Sequence, residues 1–318
     1  MLELLTQDKD FFPPALAAKL RAVREAGFDG FEIDGKWLLH EFEQVRRAVR
    51  DTGVPVPTAC GGYRGWIGDF NDAKRQQALD DVALMLRRLA ELGGSGVVVP
   101  GAWGMFSLRL PPMTPPRSPA GDEAALLDSL GILNDVAGQV GQTLYLEPLN
   151  RYEDHLINTV ARARQYIEQG QFAHVRILAD VYHMNIEEAN TQQAMRENRA
   201  LIRHVHFADN HRYEPGSGQL DFRAVLGTLH EIEFRAEFVL NVACWGRTRP
   251  RRTGRRRPTS AGCCGKPGPR RDRAASSGHP GRRAHCRHRP PAGPGPPARA
   301  RRRGGRVQPR LVQGPAVG

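Results

Sequence analysis

The chain has 318 residues, 40% of them hydrophobic, enough for one large domain or two ordinary ones. No apolar run approaches the ~18–20 residues of a membrane helix, and MLELLTQDKD lacks the basic-then-apolar opening of a secretory signal. The formal charge of +12 divides unevenly: residues 247–318 hold 20 Arg, one Lys and one Asp, and residues 1–246 hold 25 basic against 33 acidic side chains. An acidic body with a basic tail excludes a uniformly basic nucleic-acid-binding globule. Five cysteines (60, 244, 263, 264 and 286) form no regular framework, so reduced thiols and a cytoplasmic protein are expected.

Residues 1 to about 245 alternate short apolar runs with amphipathic stretches. The first strand is predicted at Leu2–Leu5, followed by a helical face of Leu16, Leu20 and Val23 that stops at Gly27. Gly30–Ile33 forms the second strand, and Leu39, Phe42, Val45 and Val49 the next helical stripe, closed by Gly53. Val54–Ala59 is the third strand, and Leu79, Val82, Leu86 and Leu89 line the helix that ends at Gly93. After the fourth strand, Val97–Pro100, comes an irregular proline-rich stretch, Met105–Asp122, where a barrel carries an active-site loop. A helix with Leu126, Leu130, Leu133 and Val140 then leads to Gly141. The remaining strands are Thr143–Glu147, Arg176–Asp180, His204–Phe207 and Glu237–Val242. A helix bearing Phe222, Val225, Leu226 and Leu229, with Asp221 as its N-cap, precedes the last of them.

Several of these runs are continuously apolar, as befits a parallel sheet covered on both faces. Eight strands and about seven helices in alternation predict an α/β protein with a (β/α)8 TIM barrel over residues 1–245. A doubly wound open sheet is the alternative, with fewer strands and a crossover reversal. Beyond Trp245 Arg, Pro, Gly and Ala dominate, and only Leu311 remains of the large branched or aromatic apolar residues other than valine. Such a segment cannot bury enough apolar area to offset chain entropy, so residues 246–318 are expected to be disordered. The change comes where a barrel needs its last helix, which is predicted to be missing. Three readings of the tail compete: a basic arm for nucleic acid, an unstructured extension, and out-of-frame translation of GC-rich DNA. The abrupt change favours the last, and the lack of aromatics among the arginines weighs against the first.

Polar residues cluster at the ends of strands five to eight. Glu147 ends TLYLE, Asp180 ends VRILAD, His206 lies in IRHVHFAD and Asn241 in EFVLNVAC. Their separations of 33, 26 and 35 residues are each about one βα unit, which in a closed barrel sets them on successive strands at one rim. Two carboxylates and an imidazole converging there suit one divalent cation, Mn2+ first, with Mg2+ or Co2+ as alternatives; zinc prefers more nitrogen and sulfur. Glu153, His183 and Arg212 follow these ligands in the βα loops, within reach of a bound polyol.

The runs EPLNRYEDHLINT (147–159), DVYHMNIEE (180–188) and HVHFADNHRYEPGSGQLDF (204–222) resemble the sugar isomerase/epimerase barrels of the xylose isomerase-like superfamily. They are most similar to the D-tagatose/D-psicose (ketose) 3-epimerases; FDGFEI (28–33) is typical of the wider superfamily. The resemblance implies that Glu147, Asp180 and His206 are three of four metal ligands and that Glu147 is one of two catalytic carboxylates. Glu153, His183 and Arg212 then hold the C1–C3 oxygens of the sugar. It implies a metal chelating O2 and O3 of a ketose, removal of the C3 proton to a cis-enediolate, and return of a proton from the opposite face. It also implies a small-molecule sugar as partner and assembly into dimers or tetramers; the lack of a long apolar run predicts no membrane partner, and the charge pattern disfavours nucleic acid.

The family's fourth ligand and second catalytic glutamate falls on Asn241. An asparagine oxygen can ligate a cation, but the side chain cannot act as a general base. Glu237 is no substitute, because four residues along a strand are ~13 Å toward the barrel bottom. Two alternatives to a full ketose 3-epimerase therefore stay open on this barrel. One is an impaired or inactive remnant, or one that only enolises; the other is an enolising lyase or hydroxypyruvate-type isomerase. A trinuclear-zinc apurinic endonuclease needs further histidines on strands two to four, and the first hundred residues hold only His40. Trp103 is either a stacking wall for a sugar or a rim hydrophobe, and GGYRGW (61–66) is a loop without phosphate-cradle spacing. Cys263, Cys264, His285, Cys286 and His288 fit no zinc-finger pattern.

Overall fold

The computed structural model describes residues 3–104, 114 and 116–243. The predicted disordered tail, the missing last helix and the cysteine–histidine group at 263–288 lie outside the described residues.

Eight parallel strands close into a barrel in chain order. They are β1 (Leu4–Gln7), β2 (Gly30–Asp34), β3 (Thr58–Cys60), β4 (Gly96–Pro100), β5 (Thr143–Glu147), β6 (Val175–Asp180), β7 (Ile202–Phe207) and β8 (Phe238–Leu240). The circle closes where β8 pairs with β1, Val239 opposite Leu5. Nine helices stand among the described residues: α1 (Leu16–Glu25), α2 (Gly35–His40), α3 (Phe42–Thr52), α4 (Asp72–Glu91), α5 (Pro119–Val140), α6 (Val160–Gln169), α7 (Val181–Glu187), α8 (Thr191–Glu197) and α9 (Phe222–Glu231). None is long and apolar enough to cross a membrane.

The main core lies between strands and helices, with Leu20, Phe31, Leu86, Leu130 and Ile177 among its fully buried members. A second cluster of Val98, Tyr145 and Leu178 fills the barrel interior. Strand alternation makes Tyr145 share a face with Glu147, and Leu178 a face with Asp180, so the interior plug lies directly beneath the polar rim. Gly53 and Gly141 end α3 and α5 in the left-handed conformation, φ 66° and 65°, as their positions predict.

The structure departs from the predicted boundaries for identifiable reasons. The first strand runs on through Thr6 and Gln7, which are polar but buried, because Gln7 pairs in register with Glu32. The third begins only at Thr58, since Pro55 and Pro57 have no N–H for the ladder; their carbonyls still accept from Phe31 and Ser95. The eighth spans only Phe238–Leu240, so Asn241 stands one residue past it, held by its N–H to the Phe207 carbonyl at 3.1 Å. The single stripe Leu39–Val49 is two helices, broken at Glu41, and β6 is followed by two short helices, α7 and α8. The irregular stretch after β4 ends earlier than Asp122: Ser118 caps α5 by accepting from the Gly121 N–H, and Pro119 opens the helix.

Candidate active site

Glu147, Asp180, His206 and Asn241 meet at the carboxyl end of the barrel, and all four are buried. Asp180 and His206 are direct register partners on β6 and β7, and Glu147 sits opposite Pro100 at the end of β5. His206 Nδ1 lies 3.5 Å from Glu147 Oε1 and 3.7 Å from Asp180 Oδ2. The Asp180 carboxylate has two duties. Its Oδ1 caps α7 by accepting from the Tyr182 N–H at 2.8 Å, which leaves Oδ2 for the cluster. Burial would raise the Asp180 carboxyl, but the His183 charge, the bond from His206 and the Arg212 charge hold it well below the usual range.

Asn241 presents its nitrogen to this group. Its Nδ2 lies 3.2 Å from His206 Nδ1 and 3.5 Å from Asp180 Oδ2, while its Oδ1 accepts from Lys9 Nζ at 2.9 Å. Burial lowers the Lys9 ammonium from its ordinary value. Glu237 lines a separate cavity of about 640 Å³ with Glu3, Thr143 and Arg176, away from the cluster.

The predicted sugar-binding residues form the adjoining wall. Arg212 Nη1 is 3.3 Å from both Glu153 Oε1 and His183 Nε2, and its guanidinium lies 4.6 Å over the Tyr182 ring. Glu153 also accepts from Asn150 Nδ2 at 2.9 Å and from the Trp103 indole N–H at 3.0 Å. Trp103, half exposed, meets Trp66 edge-on at 5.8 Å, so it is anchored to the wall rather than loose on the rim.

Arg212 reaches the site on a strained loop. Its φ is 64°, and its N–H bonds the Asp209 carbonyl at 2.8 Å. The buried Asp209 carboxylate staples that loop by accepting from the N–H groups of Asn210, Gly216, Gly218 and Leu220. Burial opposes ionisation there, but these four donors prevail and hold the carboxyl down at about 2. A Cβ at residue 218 would collide with that carboxylate, so the staple requires glycine.

A further layer lies behind His206. Glu32, in the middle of β2, is fully buried, and His206 Nε2 approaches its Oε1 at 3.0 Å. Burial would raise Glu32, but the His206 charge and bonds from both His204 and His206 bring it well below the carboxylate range. Burial would likewise lower His206, but the Glu32 charge and the bond to Asp180 raise it well above the histidine range.

The donor set fits a divalent cation. Glu147 Oε1 is buried and accepts no hydrogen bond, an expensive arrangement for a carboxylate oxygen unless a cation satisfies it. Glu147, Asp180 and His183 also bring one ligand atom each within 4.8 Å of one another. His183 Nδ1, however, accepts from the Asn150 N–H at 3.1 Å, so the ring carries a proton on Nε2, the atom facing the site. On that side His183 offers a donor and not a lone pair for a cation.

Residues 20–257 match the family model described as the xylose isomerase-like TIM barrel. The chain belongs to that family. Among its relatives, the 3-dehydro-D-guloside 4-epimerase of Escherichia coli K12 is 53% identical over 238 residues, 75% of this chain and 91% of that protein. The apo crystal structure of an E. coli 3-keto-D-glucoside 4-epimerase superposes with a TM-score of 0.75 at 51% identity, covering 78% of this chain and 94% of that one. The D-psicose 3-epimerase of Agrobacterium fabrum is 24% identical over 225 residues, 70% of this chain and 77% of that protein. The closed barrel is thus the fold that the alternation of strands and helices predicts, and the xylose isomerase-like family the one that the motifs resemble.

Sequence reasoning missed Glu32, Lys9, Asn150 and the Asp209 staple. Two of these left a signal: a glutamate inside the apolar strand GFEID is buried whichever way it points, and an aspartate before a Gly-Ser-Gly turn invites backbone donors.

Proposed function

We propose that this chain is a divalent-cation-dependent epimerase of a keto-sugar, inverting the carbon next to the carbonyl. The observation that carries the reading is the buried Glu147 oxygen with no hydrogen-bond partner, 3.5 Å from His206 Nδ1 and beside the Glu153–His183–Arg212 wall. Glu147, Asp180 and His206 would hold the cation, Mn2+ by the chemistry of the donors, and Asn241 could add its oxygen only by releasing Lys9. A divalent cation there supplies electrophilic stabilisation of negative charge developing on the substrate oxygens.

This chain's own residues do the rest. Glu147 takes the proton from the carbon next to the carbonyl. His183, protonated on Nε2, donates to a substrate oxygen, and Arg212 neutralises charge beside it. Glu153 accepts from a sugar hydroxyl while Trp103 and Asn150 hold it in place. In a ketose the inverted centre is C3, and in a 3-keto-hexoside it is C4; both pass through an enediolate. The relative at 53% identity is named a 4-epimerase, which supports the 3-keto-hexoside, while the EPLNRYE motif keeps ketose 3-epimerisation as the alternative.

Asn241 supports a second reading for this particular chain. With no carboxylate on β8, the proton taken by Glu147 returns to the same face, and exchange outruns inversion. The test is incubation in D2O with Mn2+ and a 3-keto-glucoside, or with D-fructose, D-tagatose or D-psicose, followed by NMR. Deuterium at the carbon next to the carbonyl, with the epimer, is the expected result; deuterium without epimer marks the half-reaction. No solvent deuterium in any keto-sugar refutes proton abstraction by this site.

A further inference from the structure

We propose that Glu32 is the positioning residue that makes His206, and not His183, the nitrogen ligand of the cluster. This rests on the reading that the cluster holds a cation. An ionised carboxylate only accepts, through about four lone-pair sites. Glu32 has four donors around it, all buried or nearly so. Its Oε1 accepts from Gln7 Nε2 at 2.9 Å and faces His206 Nε2 at 3.0 Å. Its Oε2 accepts from Thr58 Oγ1 at 2.9 Å and faces His204 Nε2 at 3.0 Å.

With a pure acceptor on that side, the His206 ring must carry a proton on Nε2. With Nε2 so engaged, Nδ1 is the atom whose proton a cation would displace, 3.5 Å from Glu147 and 3.7 Å from Asp180. His183 is set the other way, because the Asn150 N–H occupies its Nδ1. One carboxylate and one backbone amide thus sort two neighbouring histidines into a ligand and a donor. A carboxylate behind a ligating histidine fixes its tautomer and ring plane and strengthens it as a base.

Glutamine at position 32 breaks this arrangement without changing its volume. Its amide offers two acceptor sites and two donors to a ring of four donors. Where the amide nitrogen faces His206 Nε2, the ring must accept there and move its proton to Nδ1, which closes the lone pair to the cluster.

The experiment uses the full chain, freed of metal, with Mn2+ titrated calorimetrically into wild type, E32Q and E32D. Alongside it, 15N NMR of histidine-labelled protein locates the ring protons, with His206 assigned by its loss in H206N. E32Q is expected to weaken Mn2+ binding by about 10–100-fold and E32D by less, and in E32Q the His206 ring loses its Nε2 proton. Binding within about threefold of wild type in folded E32Q, with the Nε2 proton kept, overturns the proposal. Should E32Q not fold, unweakened Mn2+ binding in E32D overturns it. If wild type binds no Mn2+, the cation reading falls by itself, and the ring spectra still decide: Nε2 proton lost in E32Q supports the role of Glu32, and retained it refutes it.

Discussion

Changing Asn241 to glutamate is the most informative single perturbation, because it separates the loss of a base from the loss of a site. The new carboxylate takes the place of an amide whose oxygen is 2.9 Å from Lys9 Nζ and whose nitrogen is 3.5 Å from Asp180 Oδ2. At an effective dielectric of about 20, unit charges at those separations interact by roughly 5–6 kcal/mol each, attraction to Lys9 and repulsion from Asp180 nearly cancelling. Burying a further carboxylate beside Glu147 and Asp180 still carries a desolvation cost of several kcal/mol, so the metal-free protein should be less stable than wild type. The gain appears in turnover: a positioned general base or acid contributes ~10²–10⁴-fold. The assay follows one sample in D2O by NMR, comparing solvent deuterium uptake at the carbon next to the carbonyl with formation of the epimer. N241E is expected to raise the epimer by ~10²–10⁴-fold while uptake through Glu147 changes little. A wild-type chain that inverts as fast as it exchanges, with no gain in N241E, would refute the assignment of the second proton to this position.

Three other outcomes follow from the geometry. E147Q should cut deuterium uptake by ~10²–10⁴-fold with only a small change in melting temperature, because the oxygen it alters accepts no hydrogen bond and loses only the 3.5 Å ion pair with His206; scanning fluorimetry and NMR exchange check both. D209A strands four backbone N–H groups and should cost about 2–4 kcal/mol in urea unfolding, raise KM through Arg212, and speed amide exchange at residues 210, 216, 218 and 220. The Asp154 carboxyl is pushed up to about 7 by burial, against backbone donors that include Leu156 and Ala102. A raised carboxyl binds its proton more tightly in the folded chain, so its contribution is full below about pH 4 and lost as pH rises through about 7. Unfolding midpoints measured from pH 4 to 8 should fall more steeply in wild type than in D154N.

What was legible in the sequence, and what was not, divides along one physical line. A barrel repeats one βα unit, so residues at the ends of successive strands recur at about that interval. The spacings from Glu147 to Asp180, His206 and Asn241 therefore place them on one rim before any coordinates are known. Strand limits were harder wherever a strand leaves the apolar pattern for a chemical reason. Gln7 extends β1 because its amide serves Glu32, and Pro55 and Pro57 shorten β3 because they have no N–H to give. The conformation of the Arg212 loop depends on four donors brought to Asp209 from residues as far as Leu220, a fact of closure rather than of local propensity.

Proton placement was not legible at all, although it decides which histidine serves the cluster. His183 and His206 differ in what lies behind them, a backbone amide from residue 150 in one case and a carboxylate from residue 32 in the other. Those partners are 33 and 174 residues distant along the chain, the latter across the barrel from β2 to β7. Periodicity reports which face of a strand a residue occupies. It does not report which atom of that residue is already engaged, and in this site that second property separates a ligand from a donor.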